Sequence, residues 1–105
     1  DFSRSRGLGD VYKRQLDDSV LNSLEDSGYK DYIVHKTGHG LGLDVHEDPY
    51  IMRKNNELLE EGMVITIEPG LYKQGDLGVR IEDDVLITND GCKSLTTFSK
   101  ELRII

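Results

Sequence analysis

The strongest constraint on what this chain can fold into lies between Thr37 and Gly42, where three of six residues are glycine. A helix through them would lose about 1 kcal/mol per glycine relative to alanine. The segment therefore reads as extended or bent backbone. With no Cβ, glycine also lets a neighbouring strand or a bound group come close. The chain's histidines, His35, His39 and His46, all fall in or beside this stretch. On a helix His35 and His39 would share a face, but Gly38 and Gly40 argue against one. A bent, glycine-rich strand can instead aim all three into one cleft.

The flanking segments predict an α+β arrangement, mostly antiparallel strands with one helix. Leu16 to Ser27 has apolar residues at 16, 20, 21 and 24, the spacing of an amphipathic helix, and Gly28 is its natural stop. Tyr32 to Val34 is a short β-prone run. Leu43 to His46 can resume as a strand, and Asp48 to Asn56, polar and containing Pro49, reads as a loop. Met63 to Glu68 is a β-branched strand closed by Pro69–Gly70. Gly70 to Tyr72 continues extended, and Lys73 to Gly78 is a hairpin-like turn. Val79 to Thr88 is a strand bending near Asp83, and Asn89–Asp90–Gly91 is a turn. The tail from Cys92 to Ile105 shows no clear pattern.

Composition narrows the function classes. At 105 residues the chain is at most one small domain. A net charge of −7 removes nucleic acid from the expected partners, because phosphate binding needs a basic stripe. No apolar run approaches the roughly 20 residues of a membrane span, so no membrane partner is expected either. Cys92 is the chain's one cysteine. That excludes a disulfide framework and makes a reducing cytoplasm the default setting. Ser5 to Gln15, SRGLGDVYKRQ, resembles the translation of a transposon-based sequencing adapter. Residues 1–15 are therefore set aside as foreign, and 16–105 are expected to be the C-terminal portion of a longer catalytic domain.

Three charged residues stand out against this background. Glu68 ends the apolar strand Val64–Ile67 and shares a face with Thr66. A carboxylate closing such a strand is costly to bury unless paired or metal-bound. Arg80 and Glu82 share one face of their strand, opposite Val79 and Ile81. Asp83 and Asp84 read as turn or surface residues. One histidine with two glutamates on neighbouring strands makes a partial shell for a hard or borderline divalent ion. Two bridged metals need about five ligands, mostly carboxylate, so the residues alone reach part of a metal site and no further.

HKTGHGLGLDVHEDPYI (35–51), GMVITIEPGLY (62–72) and GVRIEDDVLIT (78–88) resemble, in order and separation, the proline-specific peptidases of the pita-bread fold. The resemblance covers nearly all of Leu16 to Ile105. It implies a prolidase- or aminopeptidase P-like enzyme that hydrolyses the bond before proline with two divalent metal ions: manganese, cobalt, zinc or iron. It implies metal ligation by His39, Glu68 and Glu82, and a catalytic group of His46, Glu68 and Arg80. Glu68 would also shuttle the proton, and His46 would stabilise the oxyanion. His35, His46 and Tyr72 would bind the proline-containing peptide. The family's two further aspartate ligands lie upstream of this region and have no counterpart here, so the chain alone is expected to be inactive. The complete enzyme is expected to be a cytoplasmic homo-oligomer. Methionine aminopeptidases share the fold and a Gly–His–Gly–x–Gly stretch, but His35, Gly70–Leu71–Tyr72 and Arg80 favour the proline-specific branch. A non-catalytic binding module on the same fold is the other alternative.

Overall fold

The computed structural model describes residues 13–52 and 55–104. The expectation that residues 1–15 are foreign falls mostly outside them, although Lys13 to Gln15 form the first turn of α1 (Lys13–Asp26), the one α-helix among the described residues. Its spacing is the predicted one. Leu16 is buried, and Val20, Leu21 and Leu24 on the same stripe are half-buried. Gly28 takes the left-handed conformation that ends the helix, with φ of 88°. A short 3₁₀ turn, Lys30–Tyr32, follows where a short strand was expected.

Five strands form one antiparallel sheet in the order β2-β1-β3-β6-β7. They are β1 (Gly38–Gly40), β2 (Glu47–Ile51), β3 (Val64–Ile67), β6 (Asp83–Thr88) and β7 (Gly91–Ser94). A two-stranded ribbon, β4 (Gly70–Lys73) with β5 (Leu77–Arg80), stands apart from it. The expected α+β arrangement is present, helix and strands alike. Leu16, Ile51, Leu59, Ile65, Val85 and Ile87 form the core, and Met63, Ile67 and Cys92 pack against it. Val85 and Ile87 point inward by strand alternation, and Ile65 lies directly opposite Val85.

Glycine is obligatory in β1 for a steric reason. A Cβ on Gly38 would sit 1.8 Å from the Thr66 carbonyl oxygen, and one on Gly40 would sit 2.2 Å from that of Asp48. Both neighbours of β1 therefore approach closer than any side chain allows.

Three further expectations about the strands need correction. Glu47–Ile51 is a strand, not a loop. Pro49 is tolerated there because β2 is an edge strand, where a missing N–H breaks no second ladder. Leu43 to His46 is not a strand but an exposed bend tightened by Gly42 N–H on Asp44 O and Asp44 N–H on a Glu47 carboxylate oxygen. Val79 to Thr88 divides at Ile81–Glu82 into β5 and β6, which belong to different sheets.

That division is one side of a paired break. β3 pairs with β6 from Val64↔Leu86 to Ile67↔Asp83, and β4 pairs with β5 from Gly70↔Arg80 to Lys73↔Leu77. The register is the same on both sides, so position 68 falls opposite 82 and 69 opposite 81. The ladder lapses only there. Pro69 has no N–H to give, while the Glu68 N–H faces the β1 side by strand alternation and donates to the Thr37 carbonyl at 2.7 Å. One bond, Ile81 N–H to Pro69 O at 3.2 Å, spans the gap.

Candidate active site

The break places two glutamates face to face. Like charges directly opposite in an antiparallel pair are destabilising, so the pairing of 68 with 82 needs something between the carboxyls. Burial is the main cause holding the Glu82 carboxyl above its usual range. The Glu68 charge and a side-chain hydrogen bond with Glu68 raise it further, and Asp84 adds to the effect. Arg80 opposes the shift, with its Nε 3.5 Å from Glu82 Oε2.

His39 completes the group from β1. Its Nδ1 lies 2.8 Å from the Gly40 carbonyl, which can only accept, so Nδ1 carries the hydrogen. In the neutral ring Nε2 then presents a lone pair, 3.2 Å from Glu68 Oε2. Two acceptors at that separation require a proton or a cation between them. The ring is buried, and the backbone beneath it is fixed by the His39 N–H on Thr66 Oγ1 at 3.1 Å. Thr66, itself 1% exposed, was legible only as a residue on the face of Glu68.

These groups open into one cavity of about 440 Å³. His39, His46, Glu68, Arg80 and Glu82, five of the residues anticipated from sequence, line it together. His46 comes from the bend before β2 and sets its ring 4.4 Å from that of His39, centroid to centroid. Leu41 and Val45 form the apolar wall, and Thr66 and Asp84 complete the lining. Asp84 is half-buried in β6 rather than in a surface turn. Its signal was the alternation of β6, which puts it on the face opposite buried Val85.

His35 and Tyr72 are brought together elsewhere. His35 Nε2 lies 3.0 Å from the Tyr72 hydroxyl, with the rings edge to face at 5.3 Å. Neither lines the His39 cavity. Tyr72 instead borders a more apolar concavity of about 290 Å³ with Tyr29, Tyr32 and Leu77.

An imidazole lone pair and two facing carboxylates are donors suited to a hard or borderline divalent cation, which would relieve both close approaches at once. Among the described residues no three His, Cys, Asp or Glu side chains converge tightly enough to hold an ion by themselves. The donor set fits a metal in kind and is partial in number.

The chain is similar to known proteins in sequence and in fold. The model of metallopeptidase family M24 matches residues 10–89. A curated Xaa-Pro dipeptidase of Lactobacillus delbrueckii subsp. lactis is 47% identical over 91 residues, which is 87% of this chain and 25% of the relative. The chain thus spans about a quarter of the length of the curated relatives it matches. Among solved structures, a prolidase from Pyrococcus horikoshii OT3 superposes with a TM-score of 0.88 at 44% identity, covering 96% of this chain and 29% of that one. An Xaa-Pro dipeptidase from Bacillus anthracis gives 0.90 at 39% identity, covering 98% and 29%. The fold is the pita-bread fold of these neighbours. With the family's pattern running through every strand that frames the cavity, the chain belongs to metallopeptidase family M24.

Proposed function

We propose that this chain supplies part of the two-metal site of a peptidase that hydrolyses the bond before proline, as an Xaa-Pro dipeptidase or Xaa-Pro aminopeptidase. The family implies use of divalent metal ions. The observation that best supports the reading is the pairing of Glu68 against Glu82 with the His39 Nε2 lone pair beside them. Such a pairing costs stability without a positive charge between the groups. The names of the Lactobacillus and Pyrococcus relatives, Xaa-Pro dipeptidase and prolidase, support the substrate class.

In this reading His39, Glu68 and Glu82 hold the ions, with manganese, cobalt, zinc and iron all compatible with the donor set. Bound there, the ions supply Lewis acidity towards the scissile carbonyl and lower the pKa of water to near neutrality. Glu68 takes the proton from the attacking water at a carboxylate oxygen and returns it to the proline nitrogen as the C–N bond breaks. His46, exposed beside His39, donates a hydrogen bond to the carbonyl oxygen as negative charge develops there. Arg80 holds the Glu82 carboxylate in orientation. Thr66 fixes the backbone of His39, so the imidazole needs no reorganisation. Leu41 and Val45 exclude water from one wall. His35 and Tyr72 border the proline ring, their mutual hydrogen bond fixing both side chains. The lone cysteine suits a cytoplasmic setting, and the resemblance to prolidases suits a homo-oligomer.

Calorimetric titration with Mn²⁺ and Co²⁺ tests the ligand set, and cleavage of an Xaa–Pro dipeptide by a longer protein containing this segment tests the chemistry. His39→Ala and Glu82→Ala lose metal and cleavage together. His46→Ala keeps its metal and loses most of the rate. Undiminished metal uptake in the first two variants rejects the ligand assignment, and an undiminished rate in the third removes His46 from the mechanism. The chain alone is expected to leave the dipeptide intact.

A further inference from the structure

Asp17 is a buried acid that the chemistry above leaves unused. It follows the core residue Leu16 on α1 and is 2% exposed. Carboxylates are almost never buried to that degree without a partner. Its Oδ1 accepts the Thr37 hydroxyl at 2.6 Å, a short charge-assisted bond, and Thr37 is equally buried. The Thr37 carbonyl in turn accepts the Glu68 N–H at 2.7 Å. Like the Val64 carbonyl, which accepts the Leu41 N–H, the Glu68 N–H faces the β1 side of β3, and this bond anchors it there at the residue whose side chain enters the cavity. Helix, glycine-rich segment and glutamate are thus joined by two hydrogen bonds that meet at Thr37.

We propose that Asp17 is a positioning residue for Glu68. Its carboxylate fixes the Thr37 hydroxyl and with it the carbonyl that sets the backbone direction at Glu68. The inference deepens the metal-site reading and rests on it for the consequence to metal affinity. The link from Asp17 to the Glu68 backbone stands on geometry alone. Thr37 carries the discriminating substitutions, since valine keeps its shape without the hydroxyl and serine keeps the hydroxyl without the methyl.

The test uses the whole chain labelled with ¹⁵N. Amide exchange at Glu68, the His39 ring nitrogen shifts and Mn²⁺ affinity are compared across Thr37→Val, Thr37→Ser and Asp17→Asn. Thr37→Val is expected to speed Glu68 exchange about tenfold, the scale of one lost hydrogen bond. It should also move the His39 signals and weaken Mn²⁺ binding by a similar factor, with protection at Ile87 in β6 and Lys93 in β7 unchanged. Thr37→Ser should restore all three. Asp17→Asn, which keeps the acceptor oxygen and loses the charge, should give a smaller change of the same kind. The proposal is overturned if Thr37→Val leaves Glu68 exchange unchanged, or if Thr37→Ser behaves like Thr37→Val. It is also overturned if protection falls equally across β3, β6 and β7, the mark of a purely structural contact. Should Thr37→Val not fold, Asp17→Asn decides, and an unaltered Glu68 amide in that variant overturns the proposal. A wild-type chain that takes up no Mn²⁺ overturns the metal-ligand reading while leaving the amide-exchange comparison intact.

Discussion

Gly38→Ala isolates the close contact on which the site is built. The added Cβ would meet the Thr66 carbonyl oxygen at 1.8 Å, where an ordinary carbon–oxygen contact is about 3.3 Å or more. The obstacle is backbone, so no rotamer change relieves it, and β1 must move from β3 by roughly 1.5 Å. That displacement takes the His39 N–H to Thr66 Oγ1 bond, now 3.1 Å, and the Glu68 N–H to Thr37 O bond, now 2.7 Å, beyond hydrogen-bonding range. Two bonds at about 1 kcal/mol each, with 1–3 kcal/mol for overpacking, give a loss of about 3–5 kcal/mol. Small domains have only about 5–15 kcal/mol in total, so Tm should fall by roughly 12–40 °C. Urea unfolding followed by far-UV circular dichroism measures the loss directly. Gly75→Ala is the control. It meets nothing within 4 Å, but its φ of 78° costs a Cβ about 1–2 kcal/mol. A Gly38→Ala protein that loses no more stability than Gly75→Ala refutes the steric reasoning.

Other outcomes follow from the same geometry. In EDTA, Glu82→Gln should be more stable than wild type by about 0.5 kcal/mol, because it removes one of two facing carboxylates. In Mn²⁺ the order should reverse, as wild type gains ligand-linked stability that the variant lacks, and a variant less stable in EDTA contradicts the opposed-charge account. Burial pushes the Cys92 thiol above its usual range, so less thiolate is present at any given pH. Iodoacetamide at pH 8 should therefore modify the folded chain several-fold more slowly than the urea-unfolded chain, with the gap closing as pH rises past the folded value; equal rates at pH 8 would contradict it. Ile65→Ala removes a fully buried side chain and should cost about 2–5 kcal/mol. Leu43→Ala, on the exposed bend, should cost less than about 0.5 kcal/mol, and comparable losses would place the core wrongly.

Much of the site was legible because its residues declare themselves by type and by punctuation. Three histidines around a glycine cluster, and a glutamate closing a β-branched strand before Pro–Gly, have few structural explanations. The helix, too, followed from its apolar spacing. What the sequence concealed depends on long-range pairing. Nothing local shows that position 68 lies opposite 82. That emerges only when the two arms on either side of the Gln74–Asp76 turn are laid against each other in one register. Asp17 reads as a surface acid on an amphipathic helix, and only the tertiary placement of Thr37 above it makes its burial tolerable. Pro49 signalled a loop because proline breaks ladders, and the edge position that removes the objection is a property of the assembled sheet. His35 and Tyr72 were assigned to the peptide by resemblance. Their hydrogen bond to each other reflects the nearness of the 3₁₀ turn and β4, on which periodicity is silent.

The lapse in the ladder at residues 68–69 and 81–82 has a mechanical meaning. The β4–β5 ribbon is joined covalently to the large sheet through these two short segments, with the Ile81–Pro69 bond bridging them. Glu68 and Glu82 sit on that line, one on each segment, so two ladders of a single register clamp the pair from both ends. Like a rivet between two plates, the facing acids take their alignment from sheets on either side.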